Sequence, residues 1–143
     1  MLLADANLLL YAYNSSAPEH DAAREWLESS LSAAAPFALS WWTIGAFLRL
    51  TTNRAVFPHP YSPQEASRAV SSWLDRPNVV VLEPGPEFWV IARRLIEESN
   101  ARAALVQDAL LAALAIEQGA TLATHDVDFR RFSGLETIDP IAP

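Results

Sequence analysis

The chain is 143 residues long, 51% of them hydrophobic, with a net charge of −7 from 17 acidic and 10 basic residues. That length fits one domain, residues 1–143, and that apolar fraction supplies a sizeable core. Cys is absent and every basic residue is Arg, which excludes disulfides, thiolate zinc sites, cysteine nucleophiles, P-loops and lysine Schiff bases.

In chain order, residues 1–4 form a short apolar run that stops at Asp5, as a buried strand would. Leu8 to Ala12 continue as a short helix. From Pro18 onward, Ala23, Trp26, Leu27 and Leu31 are spaced as one helical face. Ser29 to Pro36 reads as a helix end plus a loop, and Phe37-Ala38-Leu39 as a short strand. Ser40 caps a helix expected from Trp41 to about Asn53. Ser62-Pro63-Gln64-Glu65 carries a reciprocal capping pattern with Pro at the first helical position. Ala66, Ala69, Val70, Trp73 and Leu74 then form a stripe. Asn78 to Leu82 (NVVVL) reads as a buried strand, and Pro86 opens a helix with Phe88, Ile91, Ala92, Leu95 and Ile96 on one face.

The segment Leu105 to Gln118 differs from these. Residues 109–116 are apolar on all sides, so this helix is expected to be central and buried, with Gly119 ending it. Thr121 to Thr124 is a strand, followed by Asp126-Val127-Asp128-Phe129, and Glu136-Thr137-Ile138 is a last short strand. Short apolar strands alternating with helices predict an α/β sandwich with a mostly parallel sheet. In such folds ligands gather beyond the carboxyl ends of the strands.

Four acids stand at positions that this rule makes important. Asp5 closes the first strand, Asp108 begins the apolar helix, and Asp126 and Asp128 follow the strand at 121–124. Grouped carboxylates repel one another and take up protons unless a cation neutralises them. A hard divalent ion held by a few oxygens and several waters solves that problem, and such an ion can activate water against a phosphodiester. The plainer reading of Asp5 and Asp126 is a helix N-cap. Asp108 is harder to explain so, because an unpaired charge bordering an apolar helix is costly. The acidic balance counts against coating nucleic acid by charge alone.

Three segments carry a resemblance. Leu2-Leu3-Ala4-Asp5-Ala6-Asn7-Leu8-Leu9-Leu10-Tyr11-Ala12 resembles the opening motif of the PIN-domain family. Asp108-Ala109-Leu110-Leu111-Ala112-Ala113-Leu114-Ala115 resembles the start of its central acidic helix, and Leu122-Ala123-Thr124-His125-Asp126-Val127-Asp128-Phe129 resembles its closing T-x-D-x-D-F segment. The motifs occur in the family's order across nearly the whole chain. Length and the segment WWTIGAFLRLTTN (41–53) are most similar to the VapC branch of toxin ribonucleases.

The resemblance implies a PIN-like three-layer α/β/α sandwich around a mostly parallel sheet. It implies an endoribonuclease dependent on Mg²⁺ or Mn²⁺, acting on RNA as the toxin of a toxin–antitoxin pair, with a homodimer and a cognate antitoxin. Residue by residue, Asp5, Asp108 and Asp126 become the catalytic, metal-holding carboxylates, Asp128 an outer metal-site acid, and Asn7 and Thr124 the groups that orient them.

One departure bears on the metal count. Many relatives carry a Glu just before the Phe-Leu-Arg stretch, where this chain has Ala46. Two other readings therefore stand beside the first: a PIN fold that binds RNA or a partner without cutting, and another Mg²⁺-dependent phosphoesterase. Arg130 and Arg131, directly after the acidic pair, are the favoured RNA-phosphate contacts, ahead of Arg49 and Arg54, with solvated surface charge as their plainer reading. His125 is expected to point away from the Asp126 side. The five Trp residues, Trp41 and Trp42 among them, read as core or dimer interface rather than as base-stacking platforms. The first residues carry no basic leader pattern, and no apolar run nears the roughly 20 residues of a membrane span, so the chain is expected to be a soluble cytoplasmic protein.

Overall fold

Four of the strands have three residues and the last has two, and along each of them successive side chains alternate between the faces of the sheet. The computed structural model, which describes residues 1–143, shows that alternation. Strand β1 (Leu2–Ala4) pairs in parallel with β2 (Phe37–Leu39) and with β4 (Thr121–Ala123). Strand β3 (Val79–Val81) extends the sheet beyond β2, and β5 (Thr137–Ile138) extends it beyond β4. The sheet is parallel throughout, in the order β3-β2-β1-β4-β5.

Successive side chains of a strand point to opposite faces. Ala4, Phe37 and Leu39 enter one core with helices α1 (Ala6–Tyr13), α2 (His20–Ser32), α3 (Trp41–Thr51) and α4 (Pro63–Leu74). Leu3, Ala38 and Leu122 enter the other, with α5 (Phe88–Ser99) and α6 (Ala104–Gln118). This is the expected three-layer α/β/α sandwich, with a core on each side of the sheet.

The two cores are built from different materials. On the α1–α4 side, aromatic rings interlock edge to face: Tyr13 lies 5.2 Å from Phe47 and 5.7 Å from Trp73, and Phe47 lies 4.6 Å from Trp73. The Trp73 ring N–H donates to the Tyr13 hydroxyl at 2.9 Å, which satisfies the one polar atom this buried indole carries. On the other side, α6 presents Ala109, Ala112, Ala113 and Ala115, all fully buried. Small side chains let this helix lie close to the sheet and to α5.

Local signals set the helix limits. Ser40 Oγ accepts the Thr43 N–H at 3.1 Å and caps α3. Ser62 and Glu65 form the reciprocal capping box of α4, with Pro63 at its first position. Gly119 ends α6 at φ 68°, which costs a glycine little. Ala103 enters α6 at φ 52°, where an alanine pays about 1–3 kcal/mol of strain. The Glu117 carboxylate, near the end of α6, accepts the N–H of Gly85 at 2.7 Å and of Glu87 at 2.9 Å. It thus supplies the negative charge that the start of α5 favours.

Three expectations need correction. The NVVVL segment forms a strand, but at the sheet edge rather than buried, with Val80 40% exposed. Pro86 lies in the turn before α5, not in its first helical position. Leu74, placed on the apolar stripe of α4, is exposed at the helix end. No helix is long and apolar enough to cross a membrane.

Candidate active site

Asp5 and Thr124 each follow the last paired residue of a central strand, Ala4 and Ala123, which are in register. The side chains therefore leave the sheet side by side. The Thr124 hydroxyl donates to Asp5 Oδ2 at 2.8 Å and accepts the Asp126 N–H at 3.0 Å. The other Asp5 oxygen accepts the Ala6 N–H at 2.7 Å, so Asp5 caps α1 as well. Asp126 Oδ1 accepts the Asp128 N–H at 2.8 Å and caps the 3-10 turn Val127–Arg131. The cap reading of Asp5 and Asp126 and their convergence are thus both realised. A carboxylate that caps a helix with one oxygen keeps lone pairs for another partner.

Asp108 reaches the same region from α6, one turn into the helix, without any side-chain hydrogen bond. It lines a cavity of about 530 Å³ together with Asp5, Ala46, Arg49, Gln107 and Trp41. Burial pushes the Asp108 carboxyl up to about 6, and the charges of Asp5, Asp126 and Asp128 push in the same direction, against a smaller pull from Arg131. Burial also raises Asp5, opposed by its hydrogen bonds from Thr124 and the Ala6 N–H. Four like charges at one end of the sheet are therefore coupled through space. No three of them stand close enough together to hold a metal ion as they are. The oxygen-only donor set and its mutual repulsion nevertheless match what a hard divalent cation requires.

The wall opposite Asp108 comes from α3. Thr43, itself buried, donates its hydroxyl to the Ala4 carbonyl at 3.2 Å and receives the Ser40 hydroxyl at 3.1 Å. This relay ties α3 to the residue just before Asp5. Ile44, Phe47 and Thr51 of α3 then point into the core, and Trp42, Gly45, Ala46 and Arg49 line the cavity. Ala46 accordingly occupies the cavity wall, consistent with the position inferred for it from the departure in sequence.

Other candidates are distributed differently from expectation. Arg131 turns back to Asp128, donating to its carbonyl at 3.1 Å and standing 3.5 Å from its carboxylate. Arg130 lines a smaller hollow with His125, Asp126 and Asp139. Arg49, ranked below them in sequence, is the arginine of the main cavity. Its signal was its offset of three from Ala46 on one helix. Trp41, read as core or interface, also lines that cavity and is 56% exposed. Gln107, singled out by no motif, flanks Asp108 there. Asn7 makes no bond to the carboxylates; its amide oxygen is buried without a partner. His125 bonds Asp139 Oδ2 at 2.8 Å and packs edge-on against Tyr11, and it shares the smaller hollow with Asp126.

Comparison with known proteins adds to this geometry. The family model of the PIN domain matches residues 2–135. The chain is 37% identical over 142 residues to Ribonuclease VapC37 of Mycobacterium tuberculosis, covering 99% of both. It is 37% identical over 141 residues to the VapC ribonuclease Mb2897 of Mycobacterium bovis, covering 99% of this chain and 96% of that protein. In three dimensions it resembles VapBC2 from Rickettsia felis, solved bound to a promoter DNA fragment, with TM-score 0.70, 18% identity and 96% of each chain covered. It also resembles VapC20 of Mycobacterium tuberculosis, a Sarcin-Ricin loop cleaving toxin, with TM-score 0.69, 18% identity, and 95% and 99% covered.

Proposed function

The chain belongs to the PIN-domain family, and from that premise we propose that it is a divalent-metal-dependent endoribonuclease, the toxin of a toxin–antitoxin pair. The observation that carries this reading is the coupled set of aspartates at the carboxyl end of the sheet, where burial and the charges of Asp5, Asp126 and Asp128 outweigh the pull of Arg131 on Asp108. Relatives named as ribonucleases over the full chain length support it.

Asp5, Asp108 and Asp126 are the residues proposed to hold the cation, with Asp128 further out and Thr124 orienting Asp5. When bound, Mg²⁺ or Mn²⁺ supplies the charge that activates a water and offsets the negative charge developing on the phosphodiester. The chain's own groups do the rest. Thr124 and the Ala6 N–H hold both Asp5 oxygens as acceptors. Thr43, the hydroxyl lining the cavity, gives its proton to the Ala4 carbonyl and has no base beside it, so it is no nucleophile. In this reading water, rather than a side chain, is the attacking species. RNA is the substrate, a cognate antitoxin the partner, and a cytoplasmic homodimer the working form.

Ala46 favours one alternative, a PIN fold that holds RNA without cutting it, because a carboxylate common in relatives is missing from the cavity wall. One experiment separates the two. The purified chain is incubated with RNA in Mg²⁺, in Mn²⁺ and in EDTA, and new RNA ends are mapped; in parallel, growth is followed on induction with and without the adjacent gene. Cleavage and growth arrest that depend on the metal, and that the adjacent gene relieves, support the toxin. Full cleavage in EDTA rules out the metal-dependent mechanism, and binding without new ends favours the alternative.

A further inference from the structure

The cavity that holds Asp5 and Asp108 also holds a ring with no ring partner. Trp41 and Trp42 are neighbours in sequence with opposite fates. Trp42 is half-buried, packs against the α5–α6 core and lies 5.6 Å from the Phe88 ring at a 31° tilt. Trp41 is 56% exposed, with no ring partner and no hydrogen bond from its indole N–H. It stands at the first position of α3, where the cavity of Asp5 and Asp108 meets a shallower groove lined by Ser40, Leu82, Glu83 and Pro84. An exposed indole in a cavity that also holds two carboxylates and a guanidinium offers a flat face to a ligand entering it.

Arg49 completes the feature. It lines the same cavity, and none of the ion pairs in the structure involves it, although Asp5 and Asp108 line the cavity too. Trp41 and Arg49 lie on one helix, eight residues apart, which is about 12 Å along the axis. Gly45 and Ala46 lie between them, and neither side chain fills the space. The wall of α3 therefore presents an open π-face, a stretch of small residues beside the acids, and then a free guanidinium. Single-stranded nucleic acid offers the matching sequence: a base with its own π-face, a phosphodiester and a further phosphate.

We propose that Trp41 is the stacking platform for an unpaired RNA base adjacent to the bond that is cut, and that Arg49 receives a phosphate on the other side of that bond. This rests on the endoribonuclease reading and specifies how that site takes its substrate. Trp41 is then a positioning residue. It selects for unpaired RNA, because a base inside a duplex has no face to offer. Gln107, on the opposite wall with Asp108, is the side chain available to read the edge of a base held there.

The test uses Trp41→Ala and Trp41→Phe in the full chain. For a single-stranded RNA, Trp41→Ala should raise KM by roughly 5- to 150-fold, the loss expected for one base–aromatic stack. It should leave kcat little changed, and Trp41→Phe should recover most of the loss. A second arm measures equilibrium binding of the same RNA and of versions with a single base replaced by an abasic sugar. The wild type should lose affinity at one position, and Trp41→Ala should be indifferent there. Equal KM in wild type and Trp41→Ala, or no position where an abasic sugar matters, would overturn the proposal. So would a change of subunit number in Trp41→Ala by light scattering, which would make the ring a contact between copies. If the wild type cuts no RNA at all, the endoribonuclease reading falls. The binding arm still decides the stack: base-dependent affinity that Trp41→Ala abolishes supports it, and unchanged affinity refutes it.

Discussion

The two walls of the aspartate cluster, whose strand side reaches the main cavity through Asp5 alone, are held in different ways. On the sheet side, Asp5, Thr124, Asp126 and Asp128 are linked in one chain of hydrogen bonds, each between 2.7 and 3.0 Å, anchored on two strands in register. On the helix side, Asp108, Gln107, Arg49 and Trp41 make no side-chain hydrogen bond; packing of α3 and α6 alone positions them. The bonded wall keeps its carboxylates as fixed acceptors. The unbonded wall leaves its carboxylate free to answer to charge, and there the strongest perturbation appears, at Asp108. Pre-organisation and responsiveness are thus assigned to different elements of one site.

The largest effect should come from removing a carboxylate from either wall. Asp5→Asn and Asp108→Asn are each expected to cut RNA cleavage by more than about 100-fold, beyond what loss of an outer hydrogen-bonding partner costs. The two walls should differ in stability. Asp108→Asn relieves repulsion without breaking a bond and should raise the melting temperature of the metal-free protein, whereas Asp5→Asn faces the Ala6 N–H and the Thr124 hydroxyl with one acceptor fewer and should gain less or lose. Calorimetric melting of both variants checks this; equal gains would erase the contrast.

Thr124→Val breaks the bonded wall while leaving all charges in place. It should lower cleavage or metal affinity by roughly 10- to 100-fold and cost about 1–3 kcal/mol of stability, since the Asp126 N–H and Asp5 Oδ2 lose their shared partner. Single-turnover cleavage and denaturant titration measure the two losses separately. Ala46→Glu sharpens the comparison by adding an acid to the unbonded wall. Metal titration by calorimetry should show tighter binding or a second site, and an unchanged isotherm would mean that position 46 does not address the metal.

The smallest effect is a pH dependence. An acid whose folded-state pKa exceeds its ordinary value stabilises the fold as long as it holds its proton. For Asp108 that contribution is complete below about 3.8, declines as pH rises, and is lost through about 6. Stability of the metal-free wild type relative to Asp108→Asn should therefore fall between those limits and level off above them, and a saturating divalent ion should flatten the difference. Melting curves from pH 4 to 7 test the sign.

How much of this was legible before folding depends on whether a feature is local. Strand ends marked by an acid, capping at Ser40 and Ser62, and the all-apolar helix after Asp108 are statements about adjacent residues, and the structure agrees with them. The exposure of β3 was not legible, because NVVVL has the composition of an inner strand and only the strand order puts it at the edge. Arg130 and Arg131 were favoured for adjacency in sequence, but a 3-10 turn spreads neighbours around its axis, sending one to Asp128 and the other to the His125 hollow. Trp41 and Trp42 are indistinguishable by residue type. Their different exposures follow from the 100° that separates consecutive residues on a helix, which turns one ring onto Phe88 and leaves the other 56% exposed.

The Thr124 hydroxyl has one proton and two neighbours. It accepts from the Asp126 amide, so its own hydrogen has only Asp5 to go to. With the Ala6 amide already directed at the second oxygen, both ends of the Asp5 carboxylate are addressed by donors, which favours its charged form against the burial that opposes it. Asp108, across the cavity, has no donor on either oxygen, and its carboxyl is the one that burial and the neighbouring acids push up to about 6. A cation held as proposed should therefore displace its proton from the helix wall and not from the strand ends, a release that metal titration near pH 6 in buffers of different ionisation heat would read.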